Sequence, residues 1–182
     1  IWKPEKQHLE VSNVARYMSL HGFETLDQFI SHTYEKPEEF WSTFEQEVLK
    51  LRWREPYAKV LDLSQGVQWP RWFIGGRLNI ADQLEDTPEP LVKWEGEDGV
   101  AVIWSYSEVL YKARAVASWL KRNGLEKGDR VAIYMPMVPE IVPVMLGAIR
   151  AGGIIVPLFS GFGKEAIRVR LEDSEAKFVF AA

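Results

Sequence analysis

Along the first fifty residues the apolar positions recur with the period of a helix. Leu9, Val14, Tyr17 and Met18 share one face between Leu9 and Leu20, and Gly22 can end that helix. Thr25-Leu26-Asp27-Gln28 has the form of a capping box, which predicts a second helix through Phe29 and Ile30. Pro37, with its fixed φ and no N–H to lose, suits the first turn of a third. There Phe40, Phe44 and Val48 repeat at every fourth residue with Trp41 and Leu51 beside them, the stripe of a helix packed on a core. Glu38, Glu39, Glu45 and Glu47 read as a solvated face rather than as a catalytic carboxylate pair. From Trp69 to Asn79, Pro70, Gly75 and Gly76 break regular structure, so this stretch reads as a connector anchored by its large rings. A polar, proline-containing break follows over 82–90, and the domain boundary is placed between about 75 and 90. The expected division is a helical extension with its connector over 1–80 and an α/β domain from 81 to 182.

The pattern then changes to strands and helices in alternation. Leu91–Glu95 and Val100–Trp104 flank Gly96-Glu97-Asp98-Gly99, a β-hairpin with a short glycine-bearing loop. Ser105-Tyr106-Ser107-Glu108 is a second capping box. Val109, Ala113, Val116, Ala117 and Leu120 continue it as an apolar stripe, and Gly124 stands where the residue past a helix end belongs. Arg130 to Met135 is a short apolar strand. The helix after it runs from about Glu140 to Ala151, but Pro143 is tolerable only in a first turn, so a start near Val142 is expected. Ile154 to Phe159 reads as a buried strand that Pro157 ends or distorts. Lys164 to Ser174, with Ile167 and Leu171 on one face, is a helix, and Lys177 to Ala181 a strand. Order α-β-α-β-α-β with short loops calls for a parallel sheet with crossover helices, and the fold class is α/β.

Composition narrows the chemistry. The chain has 182 residues, of which 47% are hydrophobic and 26% charged, a globular balance. Its net charge of −4 leaves no footprint for nucleic acid. Residues 1–90 are acidic and residues 91–182 nearly neutral. Cysteine is absent, which excludes disulfides, thiolate catalysis and cysteine–zinc sites. His8, His21 and His32 lack the spacing of a zinc motif and read as surface or core residues, so no metal ligand is assigned. No apolar run approaches the ~18 residues of a membrane span, and the opening residues lack the pattern of a signal peptide, so no membrane partner and a cytoplasmic location are expected. The chain opens at Ile1 and stops at Ala182 just after an apolar run, which is expected of a piece of a longer protein.

Ligands of open α/β sheets lie at the carboxyl ends of strands, where two turns qualify: Met135 to Pro139 and Phe159 to Gly163. The second is the better anion cradle, because Gly161 and Gly163 allow close backbone approach. The coming helix start offers free N–H groups, and Lys164 adds charge. There is no Walker-type or dinucleotide-binding glycine motif, no nucleophile elbow, and no Ser–His pair that can be argued. No catalytic residue is assigned.

A family resemblance adds what these residues leave out. Trp72-Phe73-Ile74-Gly75-Gly76-Arg77-Leu78-Asn79 resembles the AMP-forming acyl-CoA synthetases of acetyl-CoA synthetase type. The likeness continues through Trp94-Glu95-Gly96, Ser105 to Glu108, Lys127 to Met137, Pro139-Glu140, Ala148 to Gly152, Phe159 to Phe162 and Arg170 to Lys177. These stand in family order over roughly 55–182; residues 1–54 resemble the family's helical extension more loosely. The resemblance implies the first hairpin and βαβ units of a larger adenylate-forming domain. It implies a ligase that joins a small carboxylic acid to CoA through an acyl-adenylate, using ATP, CoA and Mg2+. The family's phosphate loop, acyl pocket and catalytic lysine would lie beyond Ala182, so this chain alone is expected to be inactive and to need the rest of its polypeptide. Phe159, Ser160 and Gly161 map onto the loop that lies against the nucleotide end of CoA. Ser160 departs mildly from the family's frequent glycine, and Pro143 departs from its usual non-proline residue. The alternative is a complete, non-catalytic CoA- or nucleotide-binding or protein-interaction module.

Overall fold

The structure is a computed structural model that describes Lys3 and residues 5–182, apart from the side chains of His8 and Leu9. The parts of the sequence reading that fall on those two side chains lie outside the described residues. The chain divides into two compact units, 1–78 and 79–182. Among the described residues no helix is long and apolar enough to cross a membrane.

The first unit is built on an aromatic core. The expected helix from Leu9 to Leu20 is instead two helices, α1 (Lys6–Glu10) and α2 (Asn13–His21). They are separated because Ser12 takes the extended conformation of an N-cap and its hydroxyl accepts the N–H of Ala15 at 3.1 Å. Gly22 ends α2 at φ +72°. Helix α3 (Leu26–Glu35) starts on the Thr25–Gln28 capping box, with both reciprocal bonds made. Helix α4 (Pro37–Phe44) carries Pro37 in its first turn and passes into a wider π-turn, Glu45–Leu49. Tyr17, fully buried, meets Phe29 and Phe40 edge to face at 5.9 and 5.3 Å, and Phe44 at 5.8 Å. Its hydroxyl bonds that of Thr43 at 2.5 Å.

Two expectations fail in this unit. Glu45 is not on a solvated face: it is buried, and its carboxylate accepts the indole N–H of Trp53 and the hydroxyl of Tyr57, both at 3.0 Å. A buried carboxylate requires such donors, and they lie eight and twelve residues away, outside any helical period. The stretch from Trp69 to Asn79, read as a connector, contains a strand, β2 (Arg71–Ile74), which pairs antiparallel with β1 (Lys59–Asp62), Leu61 opposite Trp72. At the end of β2 the backbone turns sharply, with Phe73 at φ +47° and Gly75 at φ +82°. The Phe73 ring then packs on Tyr57 at 5.0 Å and Trp53 at 5.4 Å. A Cβ at Gly76 would lie 2.7 Å from the Trp53 ring and 3.0 Å from the Phe73 carbonyl, so only glycine fits there.

The second unit is the α/β part. β3 (Pro90–Glu95) and β4 (Ala101–Ser105) form the expected antiparallel hairpin. Ser105 and Glu108 complete the capping box of α5 (Tyr106–Arg122). Strand β5 (Arg130–Tyr134) is central in a parallel sheet of order β6-β5-β7, with β6 at Ile154–Pro157 and β7 at Phe178–Ala181. Pro157 pairs at the very end of an edge strand, where a missing N–H costs least. Helix α6 (Ile141–Ala151) starts one residue earlier than expected and still keeps Pro143 within its first turn. Helix α7 (Lys164–Ser174) closes the crossover to β7.

Alternation along β5 gives its two faces different partners. Val131 and Ile133 join Ala117, Leu120, Val144 and Ala148 in the buried core beneath α5 and α6. Arg130, Ala132 and Tyr134 point the other way, and both long side chains bond to the residues that bracket α7. Helix α7 buries none of its residues; Ile167 and Leu171 are half-buried.

Candidate functional site

Both turns singled out in the sequence stand at carboxyl ends of neighbouring parallel strands. The first follows β5. Met135 and Pro139 are buried, whereas Met137 is 82% exposed. Val138 N–H donates to the Pro136 carbonyl at 2.8 Å, making a tight turn. The Trp94 indole N–H donates to the Met137 carbonyl at 2.6 Å, so the hairpin holds this loop from the side. A Cβ at Gly96 would come within 2.8 Å of the Trp94 ring, so glycine leaves room for the indole.

The second turn follows β6. Leu158 is buried and its N–H donates to the Ile133 carbonyl at 2.9 Å, which fixes the turn's start on the sheet. Phe159 is 68% exposed, and Ser160 and Gly161 are exposed. Phe162 N–H closes the turn on the Phe159 carbonyl at 3.0 Å, and the two rings meet edge to face at 5.5 Å. A Cβ at Gly161 would lie 2.6 Å from the Phe159 ring, so the glycine lets that ring fold back over the turn. Ser160 lies outside the left-handed region, so its side chain adds no backbone strain. Arg170 places its guanidinium 4.2 Å above the Phe162 ring.

Gly163 then serves as the N-cap of α7 with no side-chain cap bond, which leaves N–H groups of the first helical turn facing outward beside exposed Lys164. Glu165 sits in the same turn, bonded to Arg168 at 2.6 and 3.1 Å; that bond lowers its pKa, so it stays ionised. The field here is therefore mixed, and neutral backbone groups and aromatic rings are what the turn offers a ligand.

His21 and His32 play structural parts. His21 stacks on Tyr17 at 4.1 Å and bonds Glu47 at 2.8 Å, and His32 packs against Phe23 at 5.0 Å. Among the described residues no three His, Asp or Glu side chains converge to hold a metal ion. An open groove of about 620 Å³ along α5 is lined by Arg114, Ser118, Lys121, Arg122 and Arg150. Two of its cations are already paired, Arg114 with Asp86 at 2.8 Å and Arg150 with Asp82 at 3.1 Å.

A parallel sheet with helices on both faces and ligand-sized turns at its strand ends is the architecture of the doubly wound α/β proteins. Residues 83–182 match the sequence model of the AMP-binding enzyme family, and the chain belongs to that family. Residues 26–84 match the model of the acetyl-coenzyme A synthetase N-terminus. The acetyl-coenzyme A synthetase of Wolinella succinogenes is 36% identical over 189 residues, covering 100% of this chain and 28% of that protein. The 3-hydroxypropionyl-coenzyme A synthetase of Metallosphaera sedula is 39% identical over 155 residues, 81% of this chain and 23% of its own. The chain thus spans less than a third of the length of these curated relatives. An acetoacetyl-CoA synthetase from Streptomyces lividans has the same fold over 99% of this chain and 29% of its own, with TM-score 0.88 and 23% identity.

Sequence reasoning found both turns and missed what holds them. Tyr134 and Trp94 stood in motifs but showed no local sign of their bonds to Ser160, Phe162 and Met137, which lie 26, 28 and 43 residues away.

Proposed function

We propose that this chain is the N-terminal part of an AMP-forming acid–CoA ligase. Its residues 1–80 are the helical extension and connector, and 81–182 begin the adenylate-forming domain. The whole enzyme, which includes the remainder of the polypeptide, takes a small carboxylic acid, ATP and CoA, with Mg2+ as the counter-charge on the polyphosphate. The compartment that goes with these substrates is the cytoplasm. A carboxylate oxygen attacks the α-phosphorus of ATP and pyrophosphate leaves. The CoA thiol then attacks the acyl carbon and AMP leaves, a far better leaving group than the oxide of a free acid.

This chain's share of that chemistry is binding. Phe159, Ser160 and Gly161 lie against the nucleotide end of CoA, with the exposed Phe159 ring as an apolar surface and the glycine backbone as the close-approach point. The observation that supports this reading is the exposed Phe159–Gly163 turn at the carboxyl end of β6, inside the stretch that matches the AMP-binding enzyme family. The relatives' names carry different acyl groups, so acetate, propionate and 3-hydroxypropionate are the acids to compare. The test is acid-dependent ATP–pyrophosphate exchange by the full polypeptide containing these residues, followed by thioester formation on adding CoA. Exchange with at least one small acid and CoA-dependent release of AMP are expected. No exchange with any of them overturns the proposal.

A further inference from the structure

Helix α7 and the turn before it have little apolar burial to fix them. None of the helix's residues is buried, and Phe159, Ser160, Gly161 and Gly163 are exposed. Polar ties from one face of β5 hold both ends instead. At the far end Arg130 donates to the carbonyls of Ser174 at 2.6 Å and Glu175 at 3.3 Å, and to the Glu175 carboxylate at 2.9 Å. At the near end the Tyr134 hydroxyl shares its single proton between the carbonyls of Ser160 at 3.0 Å and Phe162 at 3.2 Å. Ala132, wholly buried between them, is small enough to let the helix approach the sheet. Three alternate residues of one strand therefore set where the turn stands.

We infer that Tyr134 is a positioning residue for CoA: by holding the Ser160 and Phe162 carbonyls it keeps the Phe159 ring and the Ser160–Gly161 backbone in the shape that receives the nucleotide end of the coenzyme. This rests on the proposed function, and it adds a residue that touches no ligand. The bond reaches the turn from below, so it leaves the exposed side free. The cation–π contact of Arg170 steadies the Phe162 ring from the helix side. Losing the hydroxyl loosens only the step in which CoA is bound; formation of the acyl-adenylate does not draw on this turn.

The test is Tyr134→Phe in the full polypeptide, a change that removes one oxygen and keeps the ring. The KM for CoA is expected to rise about five- to tenfold, as for the loss of a shared hydrogen bond. Acid-dependent ATP–pyrophosphate exchange and the KM for ATP should stay at wild-type values, a split that general structural damage would not produce. Without any substrate, the amide of Phe162, which closes the turn, should exchange with deuterium faster than in wild type, while the amides of α5 keep their rates. An unchanged KM for CoA, an unchanged amide rate at Phe162, or exchange activity lost in proportion to CoA turnover each overturns the inference. If the wild-type enzyme makes acyl-adenylate but no CoA thioester, the CoA reading itself falls and the inference falls with it.

Discussion

At position 147 a hydrogen stands where any other residue would place a methyl group, and two helices meet there. A Cβ on Gly147 of α6 would lie 2.6 Å from the Cβ of Val116 and 2.8 Å from the Ala113 carbonyl on α5. Neither atom belongs to a side-chain end that could swing aside. Small, buried Ala113, Ala117, Ala148 and Ala151 line the same seam. In an isolated helix Gly147→Ala would gain about 1 kcal/mol from propensity. Here overpacking costs about 1–3 kcal/mol and wins. The variant should therefore have a lower urea midpoint than wild type; an equal or higher midpoint would show that the seam can open cheaply. Tyr134 belongs to the same scale, since one hydroxyl decides the shape of a turn. Neither role was legible locally. A glycine inside a helical pattern reads as a weakness until its neighbour is known, and a tyrosine at the end of an apolar strand reads as packing.

Among elements, the start of β5 and the start of β7 are joined through Asp129. Its carboxylate accepts the Glu126 N–H at 2.7 Å and the Lys177 ammonium at 2.9 Å. The backbone bond from Glu126 is the larger cause of its lowered pKa, and Lys177 adds to it. Because the folded-state pKa lies below the unfolded one, the stabilisation is present above the unfolded value and lost as pH falls through the folded value. Asp129→Asn should lower the urea midpoint at neutral pH. The gap to wild type should shrink once the pH passes below the usual carboxylate range near about 4. A gap that holds steady into acid would mean that geometry, not charge, makes the link. Element by element, the hairpin, α3, α5 and α7 follow from caps and periodicity that sit within a few residues of each other. The pairing of β1 with β2 did not, because the partners are separated by a proline- and glycine-bearing stretch that masks both strands.

At the scale of the whole molecule, each unit holds a different share of the chemistry. Among the described residues of the aromatic unit no three His, Asp or Glu side chains converge as a metal site, and buried Glu45 is a structural anchor held by its donors. The α/β unit brings two turns to adjacent strand ends and leaves apolar side chains uncovered on the α7 side of the sheet, with Val169 47% and Val179 49% exposed. The 182-residue chain by itself should give no acid-dependent ATP–pyrophosphate exchange with acetate, propionate or 3-hydroxypropionate. Measurable exchange by the pure chain would place the adenylation chemistry within these residues and overturn its assignment to the rest of the enzyme.

By itself the amino-acid order determined the α/β class, nearly every helix and strand of the second unit and the place of both turns. These depend on short-range signals: a cap and its partner three residues on, a period of two or 3.6, a glycine after a helix. The family came instead from the resemblance of an ordered series of motifs. Tertiary structure alone decided that Glu45 is buried, that β1 and β2 pair, that Gly147 is a contact rather than a flaw, and that Tyr134 and Arg130 hold α7 from beneath. Each of those depends on groups brought together from distant positions, and a hydrogen bond or a close approach between them leaves no periodic trace in the chain.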